Sequence, residues 1–248
     1  MEQKIFKILA CPLHQDSRLI FKKSEDCFKC SNCNRKYEII KLDNAEIPNF
    51  LIDDENWEKG SRGIKSSFIK NVQGKVYTRQ VENNKLVLDI GCGENSRGNI
   101  NLDCYIPKNI PKNFILANAE YLPFKKNSIN IILSYYNLEH LINPAIFIQK
   151  TYDIVKEKLE ILTDNNEWLG DIFFRLYGDG RIFNNEHHYK WSVEYLDNLI
   201  KRLGYKNYRV YLLNLSSNLL VKVISMLGKI PRLGNFFYRD LKAEIWKS

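Results

Sequence analysis

The stretch LVLDIGCGENSRGNINLDC, residues 86–104, decides how this chain is read. Val87 to Ile90 form a short apolar run that suits a buried strand, with Gly91 and Gly93 at its end. Glycines there let the chain turn sharply and bring backbone N–H groups close to a ligand. A GxG turn alone is also what an ordinary bend after a strand looks like. The next run, INLDC, discriminates, because Asp103 ends it and a carboxylate there can accept hydrogen bonds from two ribose hydroxyls. Gly93 and Asp103 are ten residues apart, against roughly twenty in a dinucleotide-binding unit. A full helix hardly fits in that gap, so a nicotinamide-dinucleotide site loses support.

Downstream, strand and helix signals alternate. NFILANAE and SINIILSYY read as strands, and PAIFIQKTYDIV as an amphipathic helix whose Pro144 suits a first turn. KLEILTDN is a further strand. WSVEYLDNLIKRLGY is a helix with Ser192 as N-cap and Gly204 closing it, and NYRVYLLN and LKAEIWKS are the last strands. This order predicts an α/β fold: a mostly parallel sheet with helices on both faces and ligand sites at the carboxyl ends of its strands.

Four ordered motifs, LDIGCG at 88–93, Asp103, NAEYLPF at 118–124 and NLEHLINP at 137–144, resemble those of the class I S-adenosylmethionine-dependent methyltransferases, in particular the type 11 group. The resemblance implies a seven-stranded Rossmann-like sheet whose last strand is antiparallel. The implied domain spans 85–248 and holds an apolar and basic insertion at about 215–240. Carried over by position, Asp89, Gly91 and Gly93 surround the methionine portion of S-adenosylmethionine and Asp103 holds the ribose. Asn118 and Ala119 lie beside adenine, and Tyr135 and Tyr136 face the sulfonium, the latter toward the substrate. Asn118 stands where an acidic residue is common, and its side-chain oxygen can still accept a hydrogen bond from the adenine amino group. Leu122 and Phe124 either cover the ring or are plain core.

Residues 1–50 read as a small module whose short strands, KIFKILACP and FKCSNCNRKYEII, carry too little apolar surface for a core of their own. Cys11 and His14 in CPLH, with Cys30 and Cys33 in CSNC, make two close pairs separated by a loop, the arrangement tetrahedral zinc needs. Four protein ligands leave no open position, so the expected Zn2+ is structural. Cys27, in CFKC, competes as part of the second pair or as a replacement for His14. The segment resembles the zinc-ribbon that precedes the catalytic domain in some bacterial ribosomal-RNA methyltransferases, and short proteins that partner other methyltransferases. His14 departs from the commoner cysteine. Residues 51–84 read as a helical linker.

Six cysteines, four of them clustered, point to a metal site in a reducing compartment, and no apolar run reaches 18 residues. A soluble, cytoplasmic protein is expected. The net charge of +8 is concentrated at residues 201–248, which hold ten Lys/Arg against two Asp/Glu. That excess suits an anionic partner, RNA or a membrane surface, or is a compositional habit. FFRLYGDGRIFNNEHHYKWS places Arg175, Tyr177, Arg181, His187, His188 and Tyr189 where this fold inserts substrate-facing residues; Arg175, Arg181 and His188 join Tyr136 as substrate candidates. His187 and His140 are the candidate bases, His140 alternatively packing the helix that follows it. The apolar stripe Leu220, Val223, Ile224 and Leu227 suits a lid, an interfacial helix, a dimer face or plain packing. The expected activity is methyl transfer to a small-molecule or lipid-like acceptor. The alternatives are an RNA methyltransferase and a non-catalytic zinc-containing interaction protein, and the oligomeric state stays open.

Overall fold

The computed structural model describes residues 2–52, 84–169, 187–213 and 234–248. Nearly all of the expected linker and most of the insertion at 215–240 lie outside them. The N-terminal module starts with a single helical turn, α1 (Gln3–Phe6), followed by β1 (Leu19–Lys22), β2 (Cys27–Cys30), β3 (Lys36–Leu42) and β4 (Ala45–Pro48), an antiparallel meander in chain order. KIFKILACP, expected as a strand, therefore begins as a helix. Ile5 is buried on that turn, and Leu9, beyond it, is buried where it bridges Phe124.

The module does not close on itself. Ile5, Leu9, Phe28, Tyr37 and Phe50 belong to the same buried cluster as Leu88, Ile90, Ile115 and Phe124 of the following domain. Backbone hydrogen bonds stitch the two: Phe50 N to Leu116 O at 2.8 Å, Ala10 N to Pro123 O at 2.9 Å and Lys125 N to Ile8 O at 2.9 Å. Phe50 sits at the junction, its ring 4.9 Å from Tyr37 and 5.8 Å from Phe28. A segment too small to bury its own core completes that core on its neighbour.

The second sheet contains β5 (Val87–Ile90), β6 (Ile100–Asp103), β7 (Phe114–Leu116), β8 (Ile129–Tyr135), β9 (Val155–Asp164), β10 (Tyr208–Leu213) and β11 (Asp240–Trp246). Their order is β10-β11-β9-β8-β5-β6-β7. The run from β7 to β9 is parallel, and β11 is antiparallel to both its neighbours. A parallel strand covered on both faces should be apolar throughout, and all four residues of β5 are buried. Asn49 forms a parallel bridge with Leu116, so the module covers the edge at β7 that would otherwise offer unpaired backbone groups.

Two helices cover the Leu88/Ile90 face. In α2 (Pro144–Ile154), Pro144 takes the first turn, and Phe147, Ile148, Thr151 and Ile154 are buried on one stripe. In α3 (Val193–Arg202), Ser192 Oγ accepts from Tyr195 N, Leu196 and Ile200 face the core, and Gly204 follows the end at φ +87°. β9 begins at the residue after α2, earlier than KLEILTDN suggests. No helix among the described residues is long and apolar enough to cross a membrane.

The opposite face is apolar over β5 and β8, with Val87, Ile131, Leu133 and Tyr135, and charged over β9, β11 and β10. Glu160 lies 2.7 Å from Lys158 and 2.9 Å from Lys242, and Tyr135 Oη donates to it at 3.0 Å. Glu244 pairs with Lys158 and Lys242, both at 3.3 Å, and with Arg209. Burial disfavours the charged form of Glu160, but hydrogen bonds from Lys158 and Lys242 outweigh it and lower its pKa to about 2.

Phe50→Ala should lower stability by about 3–5 kcal/mol in a single urea transition; a separate early transition for the module, or unchanged stability, would contradict the shared core. A carboxylate with a depressed folded pKa contributes stability above its unfolded pKa, near 4.5, that is lost as pH falls toward its folded value. The stability difference between wild type and Glu160→Gln should therefore be full at neutral pH and shrink as pH drops from about 4.5 to about 2. Urea titrations across that range would show it, and a pH-independent difference would refute it.

Candidate functional site

Cys11, His14, Cys30 and Cys33 each offer a ligand atom, and these atoms all lie within 4.8 Å of one another. Cys11 Sγ is 3.9 Å from Cys33 Sγ and 3.7 Å from His14 Nδ1. Zinc–sulfur bonds of about 2.3 Å in a tetrahedron put sulfurs about 3.8 Å apart, so the donor set and spacing fit zinc. Asn34, at φ +59°, turns the second knuckle into β3 as expected. Tyr37 Oη lies 3.0 Å from Cys11 Sγ, and Ser17 Oγ 3.1 Å from Cys30 Sγ. Burial raises the Cys11 thiol pKa. At Cys30, hydrogen bonds from the Cys33 backbone and Ser17 overcome burial and lower it to about 6. Cys27 is buried at the other end of β2 and is not in the cluster, three residues along an extended strand, or roughly 10 Å.

At the carboxyl end of β5, Gly91 and Gly93 adopt φ +71° and +50°. A Cβ on Gly91 would stand 2.8 Å from Cγ of Asn137, whose side chain lies against the turn. Gly93 N donates to Asp103 Oδ2 at 2.8 Å, and Tyr105 N to Oδ1 at 3.3 Å. The link back to β6 contains no helix. It runs instead along β5, with Asn99 N on Val87 O at 3.0 Å and Val87 N on Asn99 Oδ1 at 2.9 Å. Gly98 permits that approach, since a Cβ there would meet Val87 O at 2.6 Å.

Sequence reasoning missed Arg97, which lies across the face a covering helix would occupy. Its N–H donates to Asp89 Oδ2 at 2.8 Å, and its guanidinium sits 5.1 Å from the centre of the Tyr135 ring. Burial raises the Asp89 pKa to about 6 against the pull of Arg97. The other oxygen, Asp89 Oδ1, is buried without a hydrogen-bond partner among the described residues. Burial also raises the Asp103 pKa, opposed by the Gly93 N–H. An unpaired acceptor, an open-handed turn and a strand-end carboxylate fit a ligand with an ammonium group and a sugar diol. Asn118 Oδ1 caps its own turn by accepting from Glu120 N at 2.9 Å, and Ala119 is buried beside it. Leu122 and Phe124 are fully buried in the common core.

Beyond β8 the chain bends through Tyr136, at φ +53°, whose hydroxyl donates to buried Asp240 at 2.7 Å. A 3-10 turn, Leu138–His140, follows. Here His140 and His187, proposed separately from sequence, come together with ring centroids 4.6 Å apart. Burial, then the neighbouring His140, lowers the His187 pKa to about 4. His188 is exposed, and its backbone N–H donates to Glu139 O at 2.8 Å. Glu139, overlooked although it adjoins His140 in NLEH, is buried and accepts from Thr163 Oγ1 at 2.9 Å. Arg175, Tyr177 and Arg181 lie outside the described residues.

Residues 103–159 match the family model described as a methyltransferase domain. A search of curated proteins found no match. Among solved structures the chain is similar to a SAM-dependent methyltransferase from Thermotoga maritima, with 16% identity over 68% of this chain and 84% of that one and a TM-score of 0.48. It is similar also to a SAM-dependent methyltransferase from Archaeoglobus fulgidus, with 16% identity, 73% and 90% coverage and a TM-score of 0.46. The matched segment contributes β7, β8, α2 and the first half of β9 to a seven-stranded sheet with one reversed strand, which follows the N-terminal Cys/His module.

Proposed function

We propose that the chain transfers a methyl group from S-adenosylmethionine to a small-molecule acceptor. The observation that carries this reading is the 2.8 Å bond from Gly93 N to Asp103 Oδ2, which sets the glycine turn beside the strand-end carboxylate. In this reading Asp103 accepts from the ribose hydroxyls. Asp89 Oδ1 accepts from the methionine ammonium, Gly91 and Gly93 let the backbone approach, and Asn118 and Ala119 border adenine. Bound S-adenosylmethionine supplies an electrophilic methyl. The protein holds the acceptor in line with it, and that alignment supplies much of the rate. Tyr135, locked between Arg97 and Glu160, and Tyr136, tied to Asp240, border the reacting end.

RNA is the second reading. Of the basic C-terminal residues, Arg209 and Lys242 pair with Glu244 and Glu160, and Lys247 donates to Tyr152 O at 2.6 Å. Those three charges are engaged within the fold, whereas Lys201, Arg202 and Lys206 are exposed. A lipid-like acceptor rests on the stripe from Leu220 to Leu227, which lies outside the described residues. Cys11, His14, Cys30 and Cys33 are proposed to hold one structural zinc that fixes the module against β7.

Asp103→Asn and Gly91→Ala should each weaken S-adenosylmethionine binding roughly ten-fold or more, the loss of one charge-assisted hydrogen bond or of the turn. Calorimetry on variants with unchanged circular dichroism tests this, and full affinity in both would refute the cradle. Elemental analysis should find about one zinc per chain, lost in Cys33→Ser together with thermal stability; a wild-type protein free of zinc would remove the site.

A further inference from the structure

A second group of potential ligands lies apart from the Cys/His module: one atom each from Glu139, His140 and His187, all within 4.8 Å of one another. Two separate pieces of chain build it. Glu139 and His140 come from the 3-10 turn after β8, and His187 from the irregular segment that runs beside that turn. That segment is pinned: His188 N and Tyr189 N donate to Glu139 O at 2.8 and 3.3 Å, and Tyr189 Oη donates to Ile142 O at 2.9 Å. Thr163 Oγ1, on β9, fixes the Glu139 carboxylate from behind.

Glu139 is 2% exposed, and its side-chain hydrogen-bond partner among the described residues is a neutral hydroxyl. No lysine or arginine pairs with it there. A carboxyl so buried either keeps its proton or takes a cation beside it. Two imidazoles within reach of that carboxyl, with a hydroxyl orienting it, make a donor set suited to a transition-metal ion.

We propose that Glu139, His140 and His187 bind a divalent transition-metal ion, and that this ion receives a hydroxyl of the methyl acceptor. The proposal rests on the methyltransferase reading above. Three protein ligands leave coordination positions open, unlike the four-ligand Cys/His site. The place is right for an acceptor: Asn137, two residues before Glu139, lies against the Gly91 turn. A metal ion acts there as a Lewis acid that lowers the pKa of a hydroxyl. The acceptor O–H bond breaks with its proton passing to solvent. The oxygen forms the O–CH3 bond, and the S–CH3 bond breaks with its electron pair staying on sulfur. No protein base is then required, which favours an alcohol or phenol over an amine as the acceptor.

The test adds Co2+ to full-length protein already loaded with zinc. Expected is saturable binding with weak visible bands and no thiolate charge-transfer band, because the new site has only nitrogen and oxygen ligands. His187→Gln and, independently, Thr163→Val should weaken it by about ten-fold or more. Co2+ that fails to bind, binds only with a thiolate band, or binds both variants as tightly as wild type overturns the proposal. S-adenosylmethionine affinity is measured on the same samples. Cofactor binding without Co2+ binding sinks the metal centre alone, whereas Co2+ binding without cofactor binding sinks the methyltransferase reading on which its role depends.

Discussion

The hydrogen bond from Gly93 N to Asp103 Oδ2 ties the turn after β5 to the end of β6, and the rest of the site is arranged around it. Nine residues connect those strands, Gly91 to Asn99, too few for a helix lying antiparallel across the sheet face. The link instead folds back along β5, and Gly98 gives it room. One consequence is that Arg97, rather than a helix, lies over Asp89 and Tyr135. A second is that the sheet depends on other parts of the chain for cover, and the N-terminal module supplies some of it at β7.

Module and sheet are therefore one folding problem. Phe28, Tyr37 and Phe50 pack into the same core as Ile90 and Phe124, so whatever fixes the Cys/His quartet also fixes the edge of the seven-stranded sheet. Metal binding in such a module is folding free energy. A metal ion held by Cys11, His14, Cys30 and Cys33 would therefore also stabilise the sheet edge at β7.

Much of this was legible from the chain. Apolar runs ending in Gly91, Asp103 and Tyr135 marked strand ends, Pro144 and Ser192 marked helix starts, and the CPLH and CSNC spacings found the quartet, because each signal is local. What was not legible depends on tertiary contact. Gln3–Phe6 became a helical turn because its partners for burial, around Phe124, lie far along the sequence. The Lys158, Glu160, Lys242, Glu244 and Arg209 ladder joins three strands distant in sequence, and no composition argument pairs them. Glu139 and His187 lie 48 positions apart, and only the packing of the irregular segment beside the β8 turn unites them. Arg97 carried no motif at all.

If Asp103 and the Gly91–Gly93 turn together hold one adenosyl amino acid, a crystal structure with S-adenosylhomocysteine bound will show ribose hydroxyls within hydrogen-bonding distance of the Asp103 carboxylate and the ligand's amino group beside Asp89. A nucleoside bound elsewhere, or Arg97 and Tyr135 filling that place while Asp103 keeps only its backbone partners, would contradict it.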